Sequence, residues 1–312
     1  MKKNIVVFGG GTGMSTLLKG LKEFPVHITS VVSVCDDGRS TGRLREEFHT
    51  PAVGDVRQVL VALSETEPLL EKLLNYRFET KSDLNGHPVG NLMLTALTNI
   101  TGSLSEGIEG LSKVLNLKGE VIPFTEDNVV LMAKMTDGTI IEGEHNITEC
   151  HKKIEKVYYK EDPIICEQVM DAVAKADLII LSMGSLYTSI LPNLISKELI
   201  EKIDESEAKL MYVCNMMTQP GETDSFKVSD HVRVINHYLG QRKLDVVVAH
   251  TGTIDQKLIQ KYETLEQKDV VLLDEENLKD IEIIKENYAT VIDDVIRHDT
   301  IKLACSIFSY LI

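Results

Sequence analysis

Short apolar runs alternate with amphipathic stretches through most of the 312-residue chain. Ile5–Phe8 is an apolar run that ends at glycine, which is typical of a buried parallel strand. Met14–Phe24 has leucines at helical spacing, and Ile28–Val34 is a second run rich in β-branched residues. Residues 5–34 therefore predict a strand–helix–strand unit.

The same alternation continues towards the C-terminus. Further helices are predicted at or near Asp55–Leu63, Leu69–Tyr76, Pro88–Ile100, Leu104–Leu115, Glu167–Lys175, Phe226–Tyr238, Leu278–Asn287 and Ile301–Ile312. Further strands are predicted at Leu178–Leu181, Lys209–Val213, Val246–Ala249, Val270–Leu273 and Thr290–Ile292. Strands that alternate with helices predict an α/β fold with a parallel, helix-covered sheet. No linker rich in proline, glycine or serine interrupts the series, so residues 1–312 are predicted to form a single domain.

The pattern changes to short β-like segments between about residues 119 and 160. Val129–Met135, Thr139–Glu142 and Ile154–Tyr159 are separated by polar loops. Asp137-Gly138, between the first two, is a typical hairpin turn. We therefore expect an antiparallel excursion from the main sheet over about residues 119–160.

The overall charge argues against a nucleic-acid-binding surface. The chain has 48 acidic and 33 basic residues, for a formal net charge of −15, whereas nucleic-acid-binding domains usually carry a basic patch. The five cysteines are scattered without a C-x-x-C pair, which favours reduced thiols over a disulfide framework or a zinc site. We find neither a secretory leader nor a run of about 20 apolar residues, so we expect a cytoplasmic protein without a membrane span.

Four glycines lie between the first predicted strand and the first predicted helix, in the sequence Gly9-Gly10-Gly11-Thr12-Gly13. Backbone N–H groups and the helix dipole favour a phosphate at such a position, and glycine lets the backbone approach a ligand closely. The loop is not a dinucleotide fingerprint, because position 14 is methionine, and no Gly-Lys-Ser/Thr follows it. A tight turn without a ligand is the alternative to the phosphate site that we predict.

A polar loop with two glycines, Asp36–Arg43, follows the second predicted strand. In a doubly wound sheet, ligands collect at the carboxyl ends of the strands, so this loop should face the glycine loop. Asp36 and Asp37 are suited to a ribose hydroxyl or to Mg²⁺ beside phosphates. The arginines of the loop are suited to phosphate oxygens. A solvated, charged loop is the alternative.

Two later loops also follow predicted strands. Gly184 and Ser185, in the first of them, are suited to a second phosphate or a sugar. Asn215–Thr223, the second, offers amide and hydroxyl groups that suit the edge of a base or sugar. Four polar or glycine-rich loops at equivalent ends of one sheet predict a cleft.

Two further segments are open to two interpretations each. Asp55, at a predicted helix start, is as consistent with a capping residue as with a catalytic acid. His87 is suited to acid–base or metal chemistry, but a lone histidine is more often a structural hydrogen-bonding residue.

Taken together and in this order, these segments resemble the gluconeogenesis factor family, within the superfamily of 2-phospho-L-lactate transferases. The matching segments are Gly9–Gly13, Asp36–Arg45, Gly54–Arg57, His87–Leu92, Gly184–Leu194, Asn215–Thr223 and Arg297-His298-Asp299. The resemblance implies a Rossmann-like, doubly wound, mostly parallel sheet with an inserted smaller α/β lobe. It also implies a nucleotide-linked ligand.

In the gluconeogenesis factor branch, which the later loops resemble, the ligand is a UDP-sugar such as UDP-N-acetylglucosamine. The resemblance implies a role in cell shape and envelope synthesis on gluconeogenic carbon sources. We therefore interpret the chain as a nucleotide-binding regulator rather than an enzyme. Its expected partners are the UDP-sugar, with further copies of the chain and envelope-synthesis proteins as candidates, and no nucleic acid.

Two alternatives remain open. One is a Mg²⁺-dependent, 2-phospho-L-lactate transferase-type enzyme, in which Asp36 and Asp37 are the candidate catalytic residues and metal ligands. The other is an NAD-binding oxidoreductase, because Asp36 lies about 25 residues beyond Gly11, near the spacing of a ribose-binding acid. The predicted ligand-binding residues are Gly9, Gly10, Gly11, Thr12, Gly13, Asp36, Asp37, Ser40, Arg43, Asn91, Gly184, Ser185, Tyr187, Asn215, Thr218 and Gln219.

Overall fold

The computed structural model describes residues 2–65, 68–292 and 294–312. Its strands are β1 (Asn4–Gly9), β2 (His27–Val32), β3 (Glu120–Pro123), β4 (Leu131–Met135), β5 (Ile140–Glu142), β6 (Ile154–Tyr159), β7 (Leu178–Leu181), β8 (Lys209–Val213), β9 (Val246–His250), β10 (Glu282–Glu286), β11 (Ala289–Ile292) and β12 (Val295–His298). Its α-helices are α1 (Gly11–Leu21), α2 (Arg39–Phe48), α3 (Gly54–Leu63), α4 (Pro68–Asn75), α5 (Val89–Thr101), α6 (Leu104–Leu115), α7 (Glu144–Glu149), α8 (Glu167–Lys175), α9 (Lys197–Glu205), α10 (Val228–Tyr238), α11 (Gln256–Lys261) and α12 (Thr300–Leu311).

Seven parallel strands form the central sheet, in the order β10-β9-β8-β7-β1-β2-β3. The strands β1 and β7 to β9 are almost wholly buried, which explains their continuous apolar runs. The chain winds outwards from β1 to β3 and then returns to build β7 to β10 on the other side of β1. The order therefore reverses between β1 and β7, which is where doubly wound sheets bind ligands. The predicted Rossmann-like α/β fold is confirmed.

Helices cover the sheet and complete one large hydrophobic core. Helix α1 packs against α3 and α12, α5 packs against α6, and α8 packs against α9. A second, small cluster consists of the buried Met216, Tyr262 and Ile296. It joins the loop after β8 to α11 and to the β11–β12 hairpin. No helix within the described ranges is long and apolar enough to cross a membrane.

The antiparallel excursion is shorter than the predicted range. β3 lies in the main sheet, where it pairs in parallel with β2. The antiparallel part is a three-stranded sheet in the order β5-β4-β6, and the short helix α7 lies between β5 and β6 along the chain. The predicted turn at Asp137-Gly138 is present, since the N–H of Met135 donates to the carbonyl oxygen of Thr139 at 2.8 Å.

Four local predictions near strand ends and near the C-terminus were wrong. The segment Leu278–Asn287 contains the edge strand β10 instead of a helix, because a half-exposed edge strand lacks a continuous apolar run. Val270–Leu273 forms no strand but one isolated bridge, between Val270 and Met217. Thr290–Ile292 belongs to the β11–β12 hairpin and not to the main sheet. The polar loop after β2 ends early, because α2 begins at Arg39.

Candidate functional site

A cleft of about 460 Å³ opens at the carboxyl ends of β1, β7 and β8, beside the point where the strand order reverses. Its walls are the glycine loop, the loops after β7 and β8, the residues that follow α11, and β12. Of the predicted ligand-binding residues, those that line the cleft are Gly10, Gly11, Thr12, Gly13, Gly184, Ser185, Asn215, Thr218 and Gln219. The structure thus brings together three of the four predicted loops.

The glycine loop leads directly from β1 into α1. Gly11 has a φ of +61°, in the left-handed region that favours glycine. A Cβ on Gly10 would lie 2.2 Å from Oδ2 of Asp55, and a Cβ on Gly13 would lie 1.7 Å from the carbonyl oxygen of Met183. These glycines therefore allow the close packing of the loop, and they also leave the start of α1 open to the cleft.

Asp55 lies against the glycine loop from the first turn of α3. Burial and the neighbouring Asp36 carboxyl raise its pKa from 3.8 to about 7, while Arg57 and the backbone of Gly11 act in the opposite direction. In the described structure, the Asp55 side chain makes no capping hydrogen bond within α3. Its carboxyl contacts the start of α1 instead. Its place beside the glycine loop, where the sequence predicts a phosphate, favours a functional role over simple capping.

Glu144, which the sequence did not single out, brings a further carboxyl to this region. It begins α7, and burial followed by the neighbouring Asp36 raises its pKa to about 8. Asp36 accepts a hydrogen bond from the N–H of Gly38 at 3.0 Å, and Asp37 accepts one from the N–H of His145 at 2.8 Å. Asp37 thereby attaches the inserted segment to the loop after β2.

The two predicted metal ligands thus differ in their surroundings. Asp36 lies close enough to Asp55 and Glu144 to raise the pKa of both, whereas Asp37 is engaged with the start of α7. Within the described ranges, no group of three or more His, Cys, Asp or Glu side chains has the arrangement of a metal site. Neither aspartate is among the described residues that line the cleft.

Ser40 and Asn91 belong to a buried hydrogen-bond network outside the cleft. The hydroxyl of Ser40 lies 2.7 Å from Nδ1 of His87, and Nδ2 of Asn91 donates to the same hydroxyl at 3.4 Å. Nε of Arg57 donates to Oδ1 of Asn91 at 2.9 Å. Burial lowers the pKa of His87, which favours the structural interpretation of this histidine.

Two arginines of the segment Asp36–Arg45 hold backbone segments in place. Arg43 donates to the carbonyl oxygens of Asp83 at 3.2 Å and Asn85 at 2.5 Å. Arg45 is buried and donates to the carbonyl oxygen of Asp36 at 3.0 Å. Their guanidinium groups are therefore engaged away from the cleft, and a phosphate contact by Arg43 stays a prediction.

The loop after β7 is organised by a buried acid that the sequence analysis did not assign, Glu222. The hydroxyl of Ser185 donates to Oε2 of Glu222 at 2.5 Å and accepts from the N–H and the hydroxyl of Thr188, at 3.2 and 2.7 Å. The N–H of Tyr187 also donates to Oε2 of Glu222, at 3.3 Å. One donor and two acceptors are all that a hydroxyl offers, so Ser185 has no capacity left.

The residues of the loop after β8 are only partly free for a ligand. Nδ2 of Asn215 donates to the carbonyl oxygen of Gly184 at 2.8 Å, which ties two walls of the cleft together. The hydroxyl of Thr218 accepts from the N–H of Asp269 at 2.8 Å. Oε1 of Gln219 is buried without a hydrogen-bond partner in the described structure. Gln219 and the carbonyl oxygen of the Asn215 side chain are therefore available to a ligand.

A cation that the sequence analysis did not assign, Arg297, completes the cleft. It lies on β12, and its side chain makes no hydrogen bond or ion pair with any residue in the described ranges. Lys268 also lines the cleft but is paired with Glu266, with 2.8 Å between Nζ and Oε2. His298 follows Arg297 on the same wall. The only signal for Arg297 and His298 was their place in the resemblance, because no local motif marks them, and no signal in the sequence marked Lys268.

The comparisons with known proteins agree with this architecture. Residues 5–289 match the family model described as 2-phospho-L-lactate transferase CofD. The gluconeogenesis factors of Halalkalibacterium halodurans and Bacillus subtilis are 46% and 45% identical, each over 97% of this chain and 95% and 96% of their own lengths. A crystal structure of a protein from Bacillus halodurans is similar with a TM-score of 0.96 at 46% identity, covering 99% of this chain and 100% of that one. The chain belongs to the gluconeogenesis factor family, within the CofD superfamily.

Proposed function

We propose that this member of the gluconeogenesis factor family is a cytoplasmic regulator that binds a UDP-sugar, such as UDP-N-acetylglucosamine, in the cleft. In this proposal the bound nucleotide-sugar reports on envelope precursors, and the protein supports cell shape and envelope synthesis on gluconeogenic carbon sources. The observation that carries the ligand assignment is Arg297, which has no hydrogen bond or ion pair among the described residues and shares one cleft with the start of α1.

An unpaired arginine in this position favours an anionic ligand. The protein has a net charge of −15, so carboxylates that could neutralise an arginine are plentiful. The guanidinium of Arg297 is nevertheless left without one in the described structure, and its fork of N–H groups matches phosphate oxygens. The backbone N–H groups at the start of α1 add further donors on another wall. A diphosphate between them would satisfy both sets of donors.

The state of Ser185 supports binding rather than turnover. A nucleophilic hydroxyl needs a neighbouring base and a free lone pair, and the Glu222 carboxyl supplies only the first. Both lone pairs of the Ser185 oxygen accept hydrogen bonds from Thr188. This hydroxyl is therefore a structural link between two loops, and it is not poised to attack a ligand.

Calorimetric titration with UDP-N-acetylglucosamine tests the proposal. The wild-type protein should bind, and Arg297→Gln should weaken binding by roughly 10- to 150-fold, because a charged hydrogen bond contributes about 1.5–3 kcal/mol. Arg77→Gln is the matched control, since Arg77 is exposed and donates to the carbonyl oxygen of Gly86 outside the cleft. Absence of binding to the wild type, or equal affinities of all three proteins, would contradict the proposal.

A second candidate function is a Mg²⁺-dependent transferase of the 2-phospho-L-lactate type. The observation that favours it is the approach of Asp36, Asp55 and Glu144 to one another beside the glycine loop. Mg²⁺ is commonly held by one or two carboxylates together with substrate phosphates. Asp36 and Asp55 are the two residues that would hold it, whereas Asp37 is engaged with α7.

A further inference from the structure

His298 differs from the other polar residues of the cleft in what it offers a ligand. It ends β12 and lines the cleft next to the loop after β8. Its ring interacts with the backbone of Cys214, directly after β8. In the sheet, β8 is two strands away from β1. At about 4.8 Å per strand, the end of β8 lies roughly 10 Å from the end of β1, which leads into the glycine loop. His298, beside Cys214, therefore belongs to the β8 side of the cleft.

The ring of His298 is neutral at physiological pH. Burial lowers its pKa to about 4, and the neighbouring His250 acts in the same direction. The backbone of Cys214 acts in the opposite direction and raises the pKa of His298, as expected of a group that accepts a hydrogen bond from the ring. The N–H of Cys214 is already donated to the carbonyl oxygen of Val248 at 2.9 Å, so its carbonyl oxygen is the group that accepts from His298.

A neutral imidazole has one N–H and one lone pair. Because the N–H of His298 is directed to the Cys214 carbonyl, the other ring nitrogen is an acceptor. A lone pair repels phosphate oxygens and attracts an N–H or O–H group. On this wall of the cleft, His298 therefore prefers a hydrogen-bond donor, whereas the neighbouring Arg297 prefers an anion.

His250 supplies a second observation at the same place. It ends β9, and its Nδ1 accepts from the N–H of Tyr288 at 3.1 Å, so its ring proton lies on Nε2. That Nε2–H is buried and has no hydrogen bond of ordinary geometry in the described structure, although the backbone of Gly252 lies near the ring. A buried donor without a partner costs about 1–3 kcal/mol, and such groups are typical of functional sites.

We propose that His298 recognises an uncharged hydrogen-bond donor of the ligand on the β8 side of the cleft. The donor is an N–H of the base or an O–H or N–H of the sugar. This inference rests on the proposed nucleotide-sugar ligand, and it assigns the specificity for the non-phosphate part of that ligand to His298.

The test compares three probes by calorimetry: UDP-N-acetylglucosamine, UDP and inorganic pyrophosphate. His298→Phe keeps an aromatic ring but removes the acceptor. We expect this variant to bind UDP-N-acetylglucosamine roughly 5- to 150-fold more weakly than the wild type does. Pyrophosphate should bind the variant as it binds the wild type, within about twofold. If the base is recognised, the affinity for UDP falls by the same factor as the affinity for the UDP-sugar. If the sugar is recognised, UDP is unaffected.

Further variants separate recognition from folding. His298→Asn retains an amide donor for Cys214 and a carbonyl acceptor for the ligand, so it should restore most of the lost affinity. His298→Leu repeats the test with a smaller apolar side chain, in case the phenylalanine variant does not fold. His27→Phe, at the opposite end of the sheet, is the matched control and should bind all probes normally.

Two outcomes overturn the inference and are distinguishable. If the wild type binds no nucleotide, both the proposed function and the inference fail. If the wild type binds UDP-N-acetylglucosamine and the apolar variants bind all three probes as the wild type does, or lose the same factor for all three, only the inference fails.

Discussion

Replacing Asp55 by asparagine is expected to stabilise the folded protein at neutral and alkaline pH. Asp55 lies against the glycine loop, where burial and Asp36 raise its pKa from 3.8 to about 7. In the unfolded chain it loses its proton near pH 3.8, but in the folded chain only near pH 7. As the pH rises between these values, ionisation of the carboxyl therefore lowers the free energy of unfolding by an increasing amount. The full loss is reached above pH 7. Asparagine has nearly the same shape and carries no charge.

The size of the effect follows from the same values. A rise from 3.8 to about 7 corresponds to about 4 kcal/mol, at 1.36 kcal/mol for each pH unit. Asp55 is only partly shielded from solvent, so we expect roughly 1–3 kcal/mol of stabilisation at pH 8. The difference between variant and wild type should shrink as the pH falls and be close to zero near pH 4.

Urea denaturation of both proteins at several pH values between 5 and 8 measures this difference. Asp177→Asn is a control of opposite sign, because a hydrogen bond from Lys3 lowers the pKa of Asp177 at the other end of the sheet. That variant should be less stable than the wild type at pH 8. If Asp55→Asn is no more stable than the wild type at pH 8, the carboxyl is not desolvated as we infer.

The remaining predictions concern the glycine loop and turnover. Gly13→Ala should lower the free energy of unfolding by about 3 kcal/mol or more, because its Cβ would overlap the backbone oxygen of Met183. Gly110→Ala, in α6 with no atom within 4 Å of the new Cβ, should instead be neutral or stabilise by up to about 1 kcal/mol in the same urea titration. A regulator should leave UDP-N-acetylglucosamine chemically intact during incubation with Mg²⁺, as followed by ³¹P NMR. Steady product formation that disappears in Asp55→Asn would favour the transferase instead.

The sequence predicted the central strands of the fold well because burial on both faces leaves a clear pattern. Leu178–Leu181 and Val246–Ala249 are apolar throughout, and both lie in buried parallel strands. β10 is an edge strand with polar residues at its ends, so its pattern resembled an amphipathic helix. β3 is the strand at the other edge of the sheet and was assigned to the excursion. A sheet edge carries too few buried positions to be identified from one sequence.

The site was predictable where it depends on topology and not where it depends on side-chain pairing. Loops at the carboxyl ends of β1, β7 and β8 do meet in one cleft, as the general rule for doubly wound sheets requires. The partners of Ser185 and Asn91 were not predictable, because Glu222 and Arg57 come from distant segments. Glu144 reaches the site only through the fold of the inserted segment, and no spacing in the sequence relates it to Asp36.

The carboxyls beside the glycine loop decide between the two candidate functions. A phosphate near an ionised carboxylate meets a repulsion of roughly 4 kcal/mol per charge pair at about 4 Å and an effective dielectric constant of about 20. Burial and the neighbouring Asp36 raise the pKa of Asp55 to about 7 and that of Glu144 to about 8, so that near neutral pH both are partly protonated and the repulsion is reduced without a cation. A Mg²⁺ ion would instead require ionised carboxylates and would hold the phosphates through them. The same Asp55→Asn variant therefore gives opposite results for the two functions: a UDP-sugar regulator keeps or gains affinity at pH 8, whereas a Mg²⁺-dependent transferase loses a ligand and binds more weakly.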